Sequence, residues 1–290
     1  MQNSVIFLSL NMLIQLFKLR SVGLLVLASI GGALLASGGR LSIGNWVLLI
    51  VTGTLSAAGS SSFNQYLERE QDKQMRRTAR RPLATRTLSN ANRVLGISLG
   101  LIALAFGIAL VFNPWLAVFV GLGAFIYVGV YTVWLKPRTW LNIVIGGAAG
   151  SCAVLSGSAV AGDWAHPGAL GLALLVFVWT PVHFWSLAQA YRDDYLKAGV
   201  PMLPTVANRL VTAWWISLHA AGTAIIALAL GADPNLGWFY FVPVSIATGW
   251  LLFHSVRLIQ EPESHAFPLF KVANIYLGLV LLSIYLGTLF

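Results

Sequence analysis

"VLGISLGLIALAFGIALVF", residues 94–112, is a run of 19 residues without a charged side chain. About 20 apolar residues in a helix are enough to cross the hydrocarbon core of a bilayer. The chain contains nine such runs, and we predict a membrane-spanning helix at each of 21–38, 45–66, 94–112, 115–134, 141–161, 168–190, 210–230, 237–256 and 271–289. The runs are continuous, whereas strands of a membrane β-barrel alternate apolar and polar residues. The sequence therefore predicts an all-α polytopic membrane protein.

The composition supports this class, because 58% of the residues are hydrophobic and only 9% are charged. A single cysteine, Cys152, excludes an internal disulfide and a cysteine-based metal centre. We expect one domain over residues 1–290. Charged loops follow both the second and the sixth run, which hints at a repeat of spans 1–4 and 5–8 with a ninth helix added.

The net charge of +9 could indicate a nucleic-acid partner, but the distribution of the basic residues gives a better explanation. When the loops are assigned alternately to the two sides, 17 of the 18 Lys and Arg residues fall on one side and only Arg40 on the other. Basic loops remain cytoplasmic in membrane proteins. We therefore predict no nucleic-acid partner, a bacterial inner membrane or its equivalent, and a cytoplasmic amino terminus and charged loops.

The charge is concentrated in "NQYLEREQDKQMRRTARRPLATR", residues 64–86, directly after the second apolar run. If the second helix continues past the membrane boundary, Asn64, Glu68 and Asp72 lie four positions apart on one helix face. Oxygen ligands of this kind suit Mg²⁺, which proteins hold with one or two carboxylates plus substrate phosphates. The alternative is a solvated loop whose charges pair with one another.

A second acidic segment, "YRDDYLKAG" at 191–199, follows the sixth run. Two acidic clusters that close on one site could clamp Mg²⁺ on a diphosphate, which is the chemistry of allylic diphosphate ionisation. The predicted metal ligands are Asn64, Glu68, Asp72, Asp193 and Asp194, and all of these except Asp193 are also predicted catalytic residues. The predicted diphosphate donors are Lys73, Arg77, Arg81, Lys136 and Arg192. Lys136 could instead serve only to orient the protein in the membrane.

The stripe of Asn64, Glu68 and Asp72 resembles the first aspartate-rich motif of the UbiA-type intramembrane prenyltransferases, with Glu68 at a position where aspartate is more usual. "MRRTARRPL" at 75–83 and "WTPVHF" at 179–184 resemble the haem O synthase branch of that family. The resemblance implies nine helices around a central cavity that opens to the cytoplasm. It also implies that farnesyl diphosphate, haem B and water are converted to haem O.

The same resemblance implies Mg²⁺ as the cofactor and contact with membrane lipids. It also implies association with a haem A synthase or an oxidase-assembly partner. The sequence departs from the family at three places. Leu19 follows Lys18 where the family has proline, Cys152–Val154 replaces a common proline pair, and Val182 replaces a frequent proline. None of these changes removes a predicted metal ligand.

His183 lies within the sixth span, where an ionisable side chain is costly and tends to mark a functional site. The resemblance implies that His183 binds the haem substrate. It could instead orient the water that completes the reaction, or be a packing histidine hydrogen-bonded between helices.

Two other functions fit parts of the pattern. A prenyltransferase of the same family could act on a quinone precursor or a chlorophyll-type acceptor. A membrane transporter could use intramembrane charges as an ion path. The charges, however, cluster at the cytoplasmic ends of the spans, and most span centres carry none, which disfavours transport.

Overall fold

The computed structural model describes residues 10–88 and 90–289, and its regular structure within these ranges is helical. The helices are α1 Leu10–Leu16, α2 Leu19–Ser37, α3 Ile43–Asp72, α4 Ala91–Phe112, α5 Pro114–Phe125 with a π-helical continuation over Ile126–Leu135, α6 Asn142–Gly146, α7 Ala148–Val160, α8 Pro167–Ala190, α9 Arg192–Lys197, α10 Leu203–Val206, α11 Arg209–Leu230, α12 Gly237–Gln260 and α13 Ala266–Leu289.

Nine spans within the described ranges are long and apolar enough to cross a membrane, which confirms the predicted number. They are α2, α3, α4, α5 with its π-helical continuation, α6 with α7, α8, α11, α12 and α13. The fifth span is interrupted at Gly147, between α6 and α7. The second span is longer than its apolar run, because α3 extends for 30 residues to Asp72. The polar end of α3 therefore continues the helix, which is the condition under which Asn64, Glu68 and Asp72 share one face.

Spans that are adjacent in sequence lie side by side, and α13 returns to α2, which closes the bundle into a ring. Across the ring, α2 also packs tightly against α7. Two glycines allow this approach: a Cβ atom at Gly157 would lie 1.7 Å from the Ser29 carbonyl oxygen, and one at Gly32 would lie 2.1 Å from the Val154 carbonyl oxygen. Small residues at such contacts let membrane helices approach closely.

The bundle has one end where charged residues gather. This end is formed by the last residues of α3, of the π-helical segment and of α8, together with the short helices α9 and α10. At the opposite end, asparagine amides join neighbouring helices. Asn45 Nδ2 donates to the Val160 carbonyl at 3.2 Å, and Asn113 Nδ2 donates to the Ala159 carbonyl at 2.9 Å. The fold thus presents the predicted site residues at a single end of the bundle.

Candidate active site

The last turns of α3 place Asn64, Glu68 and Asp72 on one face of the helix. All three side chains are directed into the protein, with exposed fractions of 2%, 7% and 4%. The four-residue spacing accounts for this shared face, because an α-helix completes one turn in about 3.6 residues. Buried carboxylates must be paired or bound to a metal, since an isolated buried charge is very unfavourable.

Each of the two carboxylates of this stripe has its own cation. Arg81 Nη1 donates to Asp72 Oδ1 at 2.9 Å and to Oδ2 at 2.7 Å. Lys136, just after the π-helical segment, donates through Nζ to Glu68 Oε1 at 2.5 Å. Burial alone would lower the pKa of Lys136, but the Glu68 carboxylate outweighs it and raises that pKa above its usual range. Arg81 and Lys136 are the predicted diphosphate donors that the structure brings to the stripe.

Asn64 is held from two sides. Its Nδ2 donates to Thr132 Oγ1 at 3.1 Å, and its Oδ1 accepts from Lys18 Nζ at 2.7 Å. Lys18 also lies 3.2 Å from the hydroxyl of Tyr127. Burial and the nearby Arg81 lower the pKa of Lys18 to about 7, although the Glu68 carboxylate opposes that shift. Sequence motifs do not assign Lys18 to the site, because Lys18 precedes the first apolar run and no spacing relates it to α3.

The second acidic segment reaches the same end through Asp194. Asp194 is 1% exposed, and its carboxylate accepts from the backbone N–H and the Nε of Arg76. Its neighbour Asp193 is exposed. The structure therefore separates the two aspartates: Asp194 points towards the loop that follows α3, whereas Asp193 points to the surface.

The other predicted diphosphate donors lie further from these carboxylates. Lys73 pairs with Glu70, which is largely exposed, and Arg77 is exposed. Arg192 Nε donates to the Pro204 carbonyl at 2.7 Å, which joins α9 to α10. The structure thus brings two of the five predicted donors, Arg81 and Lys136, into direct contact with the stripe.

The π-helical segment at Ile126–Leu135 lines the site opposite α3. Tyr127 and Tyr131 stack with ring centroids 5.7 Å apart, and Lys136 Nζ lies 5.6 Å from the Tyr131 ring centroid. Thr132 Oγ1 donates to the Tyr127 carbonyl five residues earlier, at 2.7 Å. Segments of π-helix are frequent at functional sites. Here the segment directs two aromatic rings and a lysine to the same place.

A pocket of about 220 Å³ opens beside this arrangement. Its lining includes Glu68 and Gln71 of α3, Thr132 and Lys136 beyond it, and Val200 from the loop after α9. Val200 follows the segment that carries Asp194, so both acidic segments adjoin the pocket. The site is therefore formed by both halves of the chain.

The donor set fits a divalent cation that is shared with a ligand. Among the described residues, no group of three or more His, Cys, Asp or Glu side chains converges into a site made by protein alone. The α3 face offers an amide and two carboxylate oxygens, and Asp194 provides another carboxylate from the opposite segment. Mg²⁺ is characteristically held by few carboxylates, with water and substrate phosphates completing its shell.

His183 occupies an aromatic pocket in the second half of α8, seven residues before the helix ends at Ala190. Its ring stacks on Trp179 at 4.8 Å between centroids and contacts Phe184 and Phe270. Trp179 is itself fixed, because its Nε1 donates to the Ala273 carbonyl at 2.8 Å. The Nδ1 atom of His183 is buried and has no hydrogen-bond partner. This ring nitrogen is therefore free to meet a ligand or a water molecule.

The sequence profile described as the UbiA prenyltransferase family matches residues 24–278. "Protoheme IX farnesyltransferase 2" of Paramagnetospirillum magneticum is 40% identical over 287 residues, which cover 96% of this chain and 95% of the relative. "Protoheme IX farnesyltransferase" of Sulfurisphaera tokodaii is 38% identical over 278 residues, which cover 93% and 91%.

Solved structures share the fold. A digeranylgeranylglyceryl phosphate synthase superimposes with a TM-score of 0.80 at 18% identity, covering 96% of this chain and 98% of its own. A UbiA homolog from Archaeoglobus fulgidus, bound to DMAPP and Mg²⁺, gives a TM-score of 0.67 at 14% identity, with 94% and 99% coverage. At these identities the likeness concerns the helical architecture.

Proposed function

Because the chain belongs to the UbiA prenyltransferase family, we propose that it transfers a farnesyl group from farnesyl diphosphate to a vinyl group of haem B. Water adds in the same reaction, and the products are haem O and diphosphate. The acceptor follows from relatives named protoheme IX farnesyltransferase, which match nearly the whole chain at 38–41% identity.

The observation that carries the proposal is the buried face of α3 with its paired cations. Asn64, Glu68 and Asp72 offer oxygen atoms for a metal, while Arg81 and Lys136 offer donors for phosphate oxygens. Acidic and basic groups interleaved in this way suit a metal–diphosphate complex, in which both kinds of group find partners.

The reaction breaks the bond between the farnesyl C1 atom and the diphosphate oxygen, and the electron pair leaves with the diphosphate. The allylic cation then forms a carbon–carbon bond with the outer carbon of the vinyl group. The inner vinyl carbon takes up the positive charge, water adds to it, and the water loses a proton. The stacked Tyr127 and Tyr131 rings would shield the allylic cation from water and present their π faces to it.

We assign Asn64, Glu68, Asp72 and Asp194 as the residues that hold a divalent metal, which we propose to be Mg²⁺. When bound, the metal neutralises charge on the departing diphosphate. The UbiA homolog from Archaeoglobus fulgidus solved with DMAPP and Mg²⁺ supports this choice. Asp193, which is exposed, belongs to the site only if α9 turns on binding. Lys73, Arg77 and Arg192 would likewise reach the diphosphate only after their side chains move.

For haem B we propose His183 as the contacting residue. Its unpartnered Nδ1 atom and its aromatic surroundings suit a large planar ligand with a metal centre. The acceptor would then approach along α8 and α13, since Phe270 of α13 completes the pocket.

The protein is an integral membrane protein. We propose that the charged end faces the cytoplasm of a bacterial inner or equivalent membrane, because basic loops remain on that side. A cysteine introduced at Gln71 should then be labelled by an impermeant reagent only from the cytoplasmic side, and one at Ala232 only from the other. Labelling of both from one side would contradict this orientation. Contacts with lipids, and with a haem A synthase or an oxidase-assembly factor, are further proposals.

The direct test uses protein purified in detergent or nanodiscs with haem B, farnesyl diphosphate and Mg²⁺, followed by mass analysis of the haem. We expect a product heavier than haem B by one farnesyl group and one hydroxyl group. Asp72→Asn protein, prepared in the same way, is the matched negative control. If the haem is unchanged while a quinone precursor becomes prenylated, the acceptor assignment is wrong and the prenyltransferase assignment stands.

A further inference from the structure

Lys18 lies against the proposed metal ligand Asn64. Its ammonium group is 2.7 Å from Asn64 Oδ1 and 3.2 Å from the Tyr127 hydroxyl. The opposite side of the amide is fixed, because Asn64 Nδ2 donates to Thr132 Oγ1. The oxygen that would bind a divalent ion therefore faces a positively charged side chain instead.

We infer that Lys18 holds the place of the divalent cation on Asn64 in the free enzyme and binds the diphosphate once the metal arrives. The inference rests on the proposed function and deepens it, because it assigns to Lys18 a part in substrate binding. Three features of the structure support it: the backbone of Lys18, the balance of charges, and the space around Asn64.

The backbone at Lys18 is held in the left-handed region, with φ 49° and ψ 45°. Residues other than glycine rarely adopt this conformation, which costs on the order of 1 kcal/mol. The turn is also anchored, since Gln65 Nε2 donates to the carbonyls of Gln15 and Leu16 at 2.8 and 2.7 Å. This anchored turn directs the Lys18 side chain at Asn64.

Among the four basic side chains of the site, Lys18 is the one that no carboxylate contacts directly. Arg81, Lys136 and Arg76 each contact one carboxylate of the site. Lys18, in contrast, donates to a neutral amide and a hydroxyl. Once a metal takes over the carboxylates, the four cations together face the ligand that accompanies it. A diphosphate provides the negative charge that this arrangement lacks.

The space at Asn64 Oδ1 does not admit both cations. Mg²⁺ binds an oxygen ligand at about 2.1 Å, so an ammonium on the same atom would lie within a few ångströms of it. Two positive charges at that distance in a buried site repel strongly. The flexible lysine side chain can turn away while its Cα atom stays in place. Phosphate oxygens on the bound metal are then its nearest acceptors.

The test measures two affinities on full-length protein in nanodiscs at a single pH. Mn²⁺ alone is titrated and followed by electron paramagnetic resonance, and inorganic pyrophosphate is titrated by calorimetry in saturating Mg²⁺. Lys18→Gln keeps a donor for Asn64 Oδ1 but removes the charge. Lys18→Gly, which suits the left-handed backbone, is a second charge-free variant.

In both variants we expect Mn²⁺ to bind about three- to tenfold more tightly, because no ammonium competes for Asn64. Pyrophosphate should bind roughly 10- to 100-fold more weakly, because a charged donor is lost. Lys18→Arg should retain most of the pyrophosphate affinity. Arg20→Met, which removes an exposed cation two positions away, is the matched control and should change either affinity by no more than about twofold.

Opposite changes in the two affinities are what separates this role from a structural one. A fall in both affinities would mean that Lys18 only supports the turn, and an unchanged value of either would equally overturn the inference. The proposed function is tested separately by the haem product. Wild-type protein that makes haem O while its Lys18 variants bind both probes normally would refute the inference and leave the function intact.

Discussion

Arg76 and Asp194 lie 118 positions apart in the sequence and form two hydrogen bonds with each other. The backbone N–H of Arg76 donates to Asp194 Oδ2 at 3.1 Å, and its Nε donates to Oδ1 at 3.0 Å. The Arg76 side chain is 80% exposed, so its charge contributes little to stability. The backbone bond matters more, because it fixes the position of the loop after α3 relative to α9.

We expect Asp194→Asn to lower the rate of haem O formation by about 100-fold or more, because the site loses a charged ligand and the loop loses its anchor. Asp193→Asn is the matched control, since its side chain is exposed. Its rate should stay within about threefold of wild type. Initial rates at saturating substrates provide the measurement. Equal losses in the two variants would show that α9 turns on binding and that both aspartates are ligands.

Removing the metal should abolish activity without unfolding the protein. Excess chelator takes away the ion that holds the diphosphate, whereas Asp72 and Glu68 keep their contacts with Arg81 and Lys136. The melting temperature should therefore fall only by the small amount due to lost ligand binding. Thermal scanning and product formation on one sample check this, and adding Mg²⁺ back should restore turnover. Collapse of the fold in chelator would mean that the metal is structural.

His183→Ala should weaken haem B binding by roughly tenfold or more, seen as a loss or shift of the Soret band. Pyrophosphate affinity should be almost unchanged, because the α3 stripe is intact. His219→Ala is the control: the Nδ1 atom of His219 already has a partner in the Trp215 carbonyl, at 2.9 Å. If haem binding and pyrophosphate binding fall together with the melting temperature, His183 is a packing residue.

Gly157→Ala should destabilise the protein by about 3 kcal/mol, because the added methyl group would overlap the Ser29 carbonyl and separate α2 from α7. Gly100→Ala is the matched control. Gly100 lies within α4 on an exposed face, where an added Cβ atom would have no neighbour within 4 Å. It should be neutral or stabilise by about 0.5–1 kcal/mol. Thermal unfolding midpoints in the same detergent compare the two. Equal midpoints would show that α2 and α7 can separate freely.

The spans could be predicted from the sequence because their signal is local: a run of about 20 apolar residues has the length of a bilayer. The shared face of Asn64, Glu68 and Asp72 was also predictable on the condition that α3 continues to Asp72, since the three oxygen-bearing side chains recur at the helical period. Family membership, predicted from the stripe of Asn64, Glu68 and Asp72, is confirmed by the profile match over residues 24–278. The repeat of spans 1–4 and 5–8 stays a prediction.

The partners of the site residues could not be predicted, because they depend on how separate helices dock. Lys18 is 46 positions from Asn64, and no pattern connects the two. Asp193 and Asp194 are adjacent in sequence, yet neighbouring positions on a helix point about 100° apart. Which of them faces inwards is decided by the placement of the short helix α9. The partner of Arg192 could not be predicted either, because its Nε donates to the Pro204 carbonyl of α10 and not to the carboxylates of the site.

The π-helical segment at Ile126–Leu135 also constrains the number of residues in this stretch of the chain. In a regular α-helix, positions nine apart such as Tyr127 and Lys136 would point in nearly opposite directions. In the wider π turn both reach the site, Tyr127 at Lys18 and Lys136 at Glu68. Losing a single residue between Tyr127 and Lys136 would change the register of the helix and rotate the lysine away, even though both of these side chains were kept. We therefore expect this segment to tolerate substitutions better than deletions.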